Sequence, residues 1–363
     1  MKYLLTILFL FLLLKIQAQQ TEEVDSLVNE LEQLRLQFKI PSISYAVIKD
    51  QKIVYSGGLG YADSINNIQA SDSTIYSIAS LTKPISAIII AKLVEQGLLK
   101  WDDRMRDYWS GYKNYYDSFF TKWKQHAPSY FPLIKYYNYE RTDITIRHHL
   151  SHTSEGVPGT EFKYNGFIYG GVSIVVDNRF KLGFKALLQK EIINKLELNY
   201  SAVDYESIMG ERLKSLLSVP YEYKNGNLVL VPNYPQPHTI SGASGFLSSV
   251  KDLALFDIAL DKGKLISPQS FKQLTTPFTF SNGKQSVYGL GWFITALNGE
   301  KVFYHHGLQE SFSAIYLKIP KRQLSLILLS NCPLLTLKYH PDLLKGKIQS
   351  NPFIDTFLKW FYY

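Results

Sequence analysis

The sequence predicts an α+β fold: one antiparallel sheet flanked by helices, plus a helical lobe, with a cleft between them. Two observations carry this. Strand-like runs separated by turns occur near both ends of the chain, at 42–62 and 288–329, while helical spacing dominates the middle. The order is helix, strands, long helical insert, strands, helix, so strands from both ends can share one sheet.

The elements follow in order. Residues 21–38 place Val24, Leu27, Val28, Leu31, Leu34 and Phe38 at helical spacing, with Glu22, Glu23 and Asp25 in the first turn and Pro41 as the stop. Ser42–Ile48 and Ile53–Tyr55 read as a hairpin around a polar Lys49–Lys52 turn. Glycines 57, 58 and 60 suggest a bulge or close backbone packing. The apolar run Ile85–Ala91 reads as a buried helix ending near Gly97. Between Tyr108 and Tyr139 there are 13 aromatic residues, including Trp109, Tyr112, Tyr116, Trp123, Tyr130 and Tyr137. A lobe packed on itself is the favoured reading, and a wall over a cleft is the other. Helical patterns continue through 169–176 and 181–215, and a Gly/Ser loop at 241–249 leads to a helix capped by Ser248 or Ser249. Tyr288–Ile294, Lys301–Tyr304, Phe312–Ile319 and Leu324–Leu329 read as consecutive antiparallel strands, and 352–363 as a terminal amphipathic helix.

Residues 1–18, with Lys2, a dozen apolar residues and Ala18, match a secretory signal peptide, with Gln19 as the mature start and a secreted or periplasmic address. An uncleaved anchor is the competing reading, although the apolar run is short for a span; after cleavage no stable membrane span is expected. No cysteine follows the run, so a lipoprotein anchor is not indicated. The single cysteine, Cys332, ends an apolar strand, reads as core, and excludes an internal disulfide. Without Lys2 and Lys15, 37 Lys+Arg remain against 31 Asp+Glu, dispersed and without a nucleic-acid motif.

Chemistry concentrates at Ser80-Leu81-Thr82-Lys83. Three residues apart on a helix, Ser80 and Lys83 share a face. The lysine can then activate a hydroxyl that is a weak nucleophile alone. Taken by itself the tetrapeptide also fits an N-cap serine beside a solvated lysine. His148 and His152 lie four apart without an acidic partner, so hydrogen bonding to nearby backbone is favoured over a metal.

Several ordered stretches together resemble the serine beta-lactamase and penicillin-binding-protein superfamily, in its class C beta-lactamase-related branch. They are Ser77–Pro84, Ile144–Ser154, Pro158–Tyr164, Tyr288-Gly-Leu-Gly-Trp292 and Tyr304-His-His-Gly307. The resemblance covers roughly 24–335. It implies one serine hydrolase domain over 19–363, with an α/β lobe at about 20–75 and 240–363 and a helical lobe at about 76–239. It implies Ser80 as nucleophile, Lys83 in its proton network, and Tyr164 as general base with its pKa lowered by Lys83. It places His305 at the lysine position of the family's K-T-G box, near the substrate carboxylate or leaving group. Ser80 and Leu308 N–H groups would form the oxyanion hole, with His306, Gly307 and Asn165 on the substrate-binding rim. No cofactor or metal is implied. The substrate would be a small-molecule or peptide-like ester or amide, with cell-wall material among the candidates and nucleic acid excluded. A catalytically weak or inactive binding or regulatory homologue is the alternative. The Tyr164-Asn165-Gly166 stretch puts glycine where the family has an amide, which counts against lactam or carboxypeptidase activity.

Overall fold

The computed structural model describes residues 25–126, 134–208, 210–232, 234 and 240–363. The leader expected at 1–18 and Tyr130 lie outside them. Seven strands form one antiparallel sheet: β1 (Ser42–Lys49), β2 (Lys52–Asp63), β3 (Ile68–Gln69), β4 (Phe293–Leu297), β5 (Glu300–Leu308), β6 (Ser313–Ile319) and β7 (Leu324–Ser330). Their order is β3-β2-β1-β7-β6-β5-β4. The two ends of the chain meet where β1 pairs β7, with Ile43 opposite Ser330 and Lys49 opposite Leu324. The β1–β2 turn puts Asp50 and Gln51 at φ +51° and +59°, the two-residue geometry that matches strand twist.

Alternation along the strands builds two cores. Leu324, Leu326 and Leu328 join Ile43 and Val47 beneath the helices at 25–37 and Pro352–Phe361. Ile327 and Leu329 point the other way, onto helices Thr82–Glu95 and Val250–Asp261. Ser249, one of the two predicted caps, accepts from the Asp252 N–H. Helix Thr82–Glu95 is enclosed nearly all round, with 11 of its residues buried, so its position is fixed from every side.

The described aromatic residues of 109–120 and 137–139 pack on one another and into this second core. Trp109, Tyr112, Tyr116 and Tyr137 are buried, and the Tyr116 ring lies 4.9 Å from Tyr112 and 5.0 Å from Tyr137. One strand expectation shifts, and one hairpin was not expected. Residues 288–292 are irregular because Gly291 adopts φ +89°, and β4 starts only at Phe293. A hairpin of Tyr221–Lys224 and Asn227–Leu230 interrupts the helical middle around an Asn225-Gly226 turn. Cys332 is buried and free. Among the described residues no helix is long and apolar enough to cross a membrane.

Ile88 is fully enclosed in the helix that follows Ser80. Ile88→Ala is expected to lower stability by about 2–5 kcal/mol through transfer and cavity costs, read by urea denaturation.

Candidate active site

Ser80 lies in a single 3-10 turn, Ala79–Leu81, that runs directly into the Thr82–Glu95 helix. Ala79 takes φ +51°, a left-handed conformation that alanine adopts only under constraint. The constraint is visible on both sides. The Ile78 N–H donates to the Phe246 carbonyl, and the Thr82 hydroxyl donates to the Ala79 carbonyl at 2.7 Å. The resulting sharp turn presents Ser80 half-exposed between buried neighbours.

Lys83 stands one turn on and is 1% exposed. Its Nζ donates to Ser80 Oγ at 2.8 Å and to the Ala243 carbonyl at 3.1 Å. Its ring neighbours are Tyr164 and Tyr169, with centroids at 5.0 and 5.5 Å. Among the described residues no carboxylate pairs with Lys83, and burial is the cause that moves its pKa, lowering it to about 7. The Tyr169 hydroxyl donates to the Lys83 carbonyl and steadies the first turn.

Tyr164 completes the group, but not as expected electrostatically. Burial pushes its pKa well above the ordinary phenol value, against a hydrogen bond with Ser80 that pulls it down. The expected lowering by Lys83 is overturned: a dehydrated phenol resists ionisation, and a lysine of pKa about 7 carries its charge only part of the time. Tyr164 holds its proton, and Lys83 is the group able to give one up. Around the Tyr164 ring stand His152 at 4.3 Å, Phe293 at 5.8 Å and His306 at 6.5 Å.

One expected electrostatic group and two rim residues are placed differently. His305 is fully buried. Its Nδ1–H donates to the His306 carbonyl at 2.8 Å, and its Nε2 accepts from the Tyr288 hydroxyl at 2.9 Å. Burial and the Lys83 charge hold it neutral, so it offers no cation to a carboxylate. His306 is 2% exposed and turned toward His340, with Nε2 2.7 Å from His340 Nδ1. Asn165 caps a short helix, Gly166–Tyr169, by accepting from the Phe167 and Ile168 N–H groups, while its amide donates to Glu155 at 2.8 Å. Helix capping claims the polar atoms that a substrate would need.

Gly307 and Leu308 fit their places. A Cβ at Gly307 would fall 2.7 Å from the Ile78 carbonyl and 3.0 Å from Ala79 Cβ, so only glycine lets β5 lie against the nucleophile turn. The Gln309 N–H donates to the Phe312 carbonyl, and alternation then turns the Leu308 N–H to the opposite edge of β5. There β4 has already ended, its pairing starting at Phe293 opposite Tyr304. The Leu308 N–H is left on the unpaired edge of β5.

The histidines near the loop behave as read. His148 reciprocally caps Thr145, and His152 Nδ1 accepts from the Asn165 N–H at 3.1 Å. Sequence reasoning missed the Ala79 conformation, the Ala243 carbonyl, Tyr169 and His340. None has a motif, although the Gly/Ser loop at 241–249 marked where a backbone acceptor would approach.

A family model described as Beta-lactamase matches residues 24–340. The chain belongs to the beta-lactamase family. It is similar to Protein flp of Staphylococcus aureus, 24% identical over 326 residues, covering 84% of this chain and 62% of that protein. The chain thus spans less than two thirds of that relative's length. Among solved structures it is similar to the octameric penicillin-binding protein homologue from Pyrococcus abyssi, with a TM-score of 0.70 and 23% identity over 92% of this chain and 80% of that one. It is also similar to a penicillin binding protein from Bacillus halodurans, with a TM-score of 0.65 and 17% identity over 86% and 98%. The fold is therefore the beta-lactamase/transpeptidase fold. Within this beta-lactamase family chain, Gly166 is the local departure. A Cβ there would stand 3.5 Å from Lys83 Nζ, so the position faces the lysine but carries no group to reach it.

Because burial sets the Lys83 pKa near 7, the ammonium form dominates below that pH and has no lone pair for the Ser80 proton. Acylation of Ser80 is expected to rise with pH through one transition near 7. His152, His305 and His306 are held well below their ordinary range and contribute no second step there. Labelling rates with a fluorophosphonate across pH 5–9 check this, and a flat profile contradicts it.

Proposed function

We propose that this protein is a serine hydrolase that cleaves an ester or amide through an acyl-enzyme. One observation carries the reading: a buried lysine of pKa about 7 lies 2.8 Å from a half-exposed serine hydroxyl. Neutral Lys83 accepts the Ser80 proton as Oγ bonds to the carbonyl carbon. The Ser80 and Leu308 N–H groups face the oxyanion, each such donor being worth about 3–4 kcal/mol in a transition state. The tetrahedral adduct expels the leaving group, whose proton comes from Lys83 relayed through the Tyr164 hydroxyl. Water then attacks the acyl ester along the same path in reverse, and Ser80 regains its proton.

An ester is favoured over a lactam or a carboxylate-bearing peptide. Gly166 supplies no amide toward the acyl group, and His305 is neutral and enclosed. The leader-like run at 1–18 supports a secreted or periplasmic address.

Incubation of the purified chain with a fluorophosphonate or with fluorescent penicillin tests the reading. Label on Ser80 from fluorophosphonate alone is the expected result. Penicillin label at a comparable rate moves the assignment to a lactam-acylated enzyme. Folded protein that takes neither label is a binding or regulatory homologue, and the hydrolase reading fails. Tyr164→Phe removes the relay proton and is expected to slow p-nitrophenyl ester turnover by about 100- to 10,000-fold. Unchanged turnover refutes the role.

A further inference from the structure

We propose that His340 is a positioning residue of this site: its hydrogen bond to His306 fixes the end of β5 and one wall around Tyr164. This rests on the hydrolase reading above. His340 opens a short helix, His340–Leu343, in the segment that follows the last strand of the sheet. That segment clamps β5 at three places. The Tyr304 hydroxyl donates to the Leu343 carbonyl, His306 Nε2 shares a proton with His340 Nδ1 at 2.7 Å, and the Thr336 hydroxyl donates to the Gly307 carbonyl at 2.9 Å. The clamped residues lead directly to the Leu308 N–H.

The histidine contact differs from the other two because it also reaches the tyrosine. The His340 ring meets Tyr164 edge-on at 6.3 Å, and the His306 ring lies nearly parallel to it at 6.5 Å and 20°. His306 is enclosed, and among the described residues its Nδ1 has no partner. The bond with His340 is thus the polar contact that selects the orientation of its ring. A buried imidazole with one such contact loses that preference when the contact is removed, since ring packing alone distinguishes its two flips poorly. Tyr164 would then lose a fixed wall, and β5 would relax two residues before its oxyanion donor. Both effects act on positioning in the transition state rather than on substrate binding.

Two substitutions separate this role from general stability. His340→Phe keeps a ring against Tyr164 and removes the hydrogen bond. His340→Asn offers a polar group at the place of Nδ1 and removes the ring. With the full chain and a p-nitrophenyl ester, His340→Phe is expected to lower kcat by about 10- to 100-fold with KM changed less than about twofold. His340→Asn is expected to recover kcat to within about threefold of the wild type. Thermal unfolding of both variants checks that they are folded. A wild-type kcat in His340→Phe, a loss confined to KM, or no recovery in His340→Asn overturns the proposal. A wild-type chain that takes no fluorophosphonate label at Ser80 overturns the hydrolase reading first, and this proposal with it. An unfolded His340→Phe leaves the decision to His340→Asn, whose wild-type-like kcat supports the proposal and whose collapse refutes it.

Discussion

Enclosure of one amine in a site without a carboxylate partner is the constraint behind the rest of the arrangement. An ammonium placed there gains little from the two oxygens it meets and loses its hydration, so its proton is weakly held. Everything nearby is consistent with a weakly charged basin. His152, His305 and His306 all stay neutral, in part because the Lys83 charge opposes theirs. Tyr164 stays a phenol because the same dry surroundings penalise a phenolate. A carboxylate beside Lys83 would reverse this logic by fixing its proton. The contrast lies elsewhere in the chain, where Lys318 is equally buried but sits 3.0 Å from Asp257 and 2.7 Å from Asp261. Their charges outweigh burial and raise its pKa. Two buried lysines thus divide into a charged tie and an amine that holds its proton weakly, according to their neighbours.

Positioning falls to two rigid pieces. The Thr82–Glu95 helix is held in the core on nearly all sides and carries Lys83 in its first turn. The end of β5 lies against the nucleophile turn through Gly307 and is tied from behind by the segment after β7. The strained backbone at Ala79 sits between them, and the cost of about 1–2 kcal/mol is borne by the surrounding contacts. A site built this way does not need to assemble when a substrate arrives.

Much of this was legible from residues alone. Period-two alternation exposed the strands on either side of the insert, and an apolar run with a serine and lysine at its start marked the central helix. Ser80, Lys83 and Tyr164 could be named together because motifs fix identity and order. Electrostatic state was not legible, because it depends on what surrounds a side chain after folding. Tyr164 was expected to ionise more easily and does the reverse. His305 was expected as a charged group at the lysine position of the K-T-G box and is fully buried, since a strand residue's facing depends on register rather than on its neighbours in sequence. Asn165 looked like a binding group and is a helix cap. The Asn225-Gly226 turn was a readable hairpin signal that went unused. His340 had no signal at all, because a lone histidine in a polar connection says nothing about where that connection lies.

The pairing of β1 with β7 has a bearing on when the cleft at Ser80 is completed. Ile43 must find Ser330, so the centre of the sheet closes only after the chain between them has been made. β5 and β6, which carry the wall opposite Ser80, enter the same sheet through β7. The Ser80 segment is synthesised before the β5 residues that lie against it. A nascent or truncated chain that ends before β7 has the serine and the lysine but no surface to hold them against. Ser80 therefore gains its opposing wall only when β1 and β7 have paired.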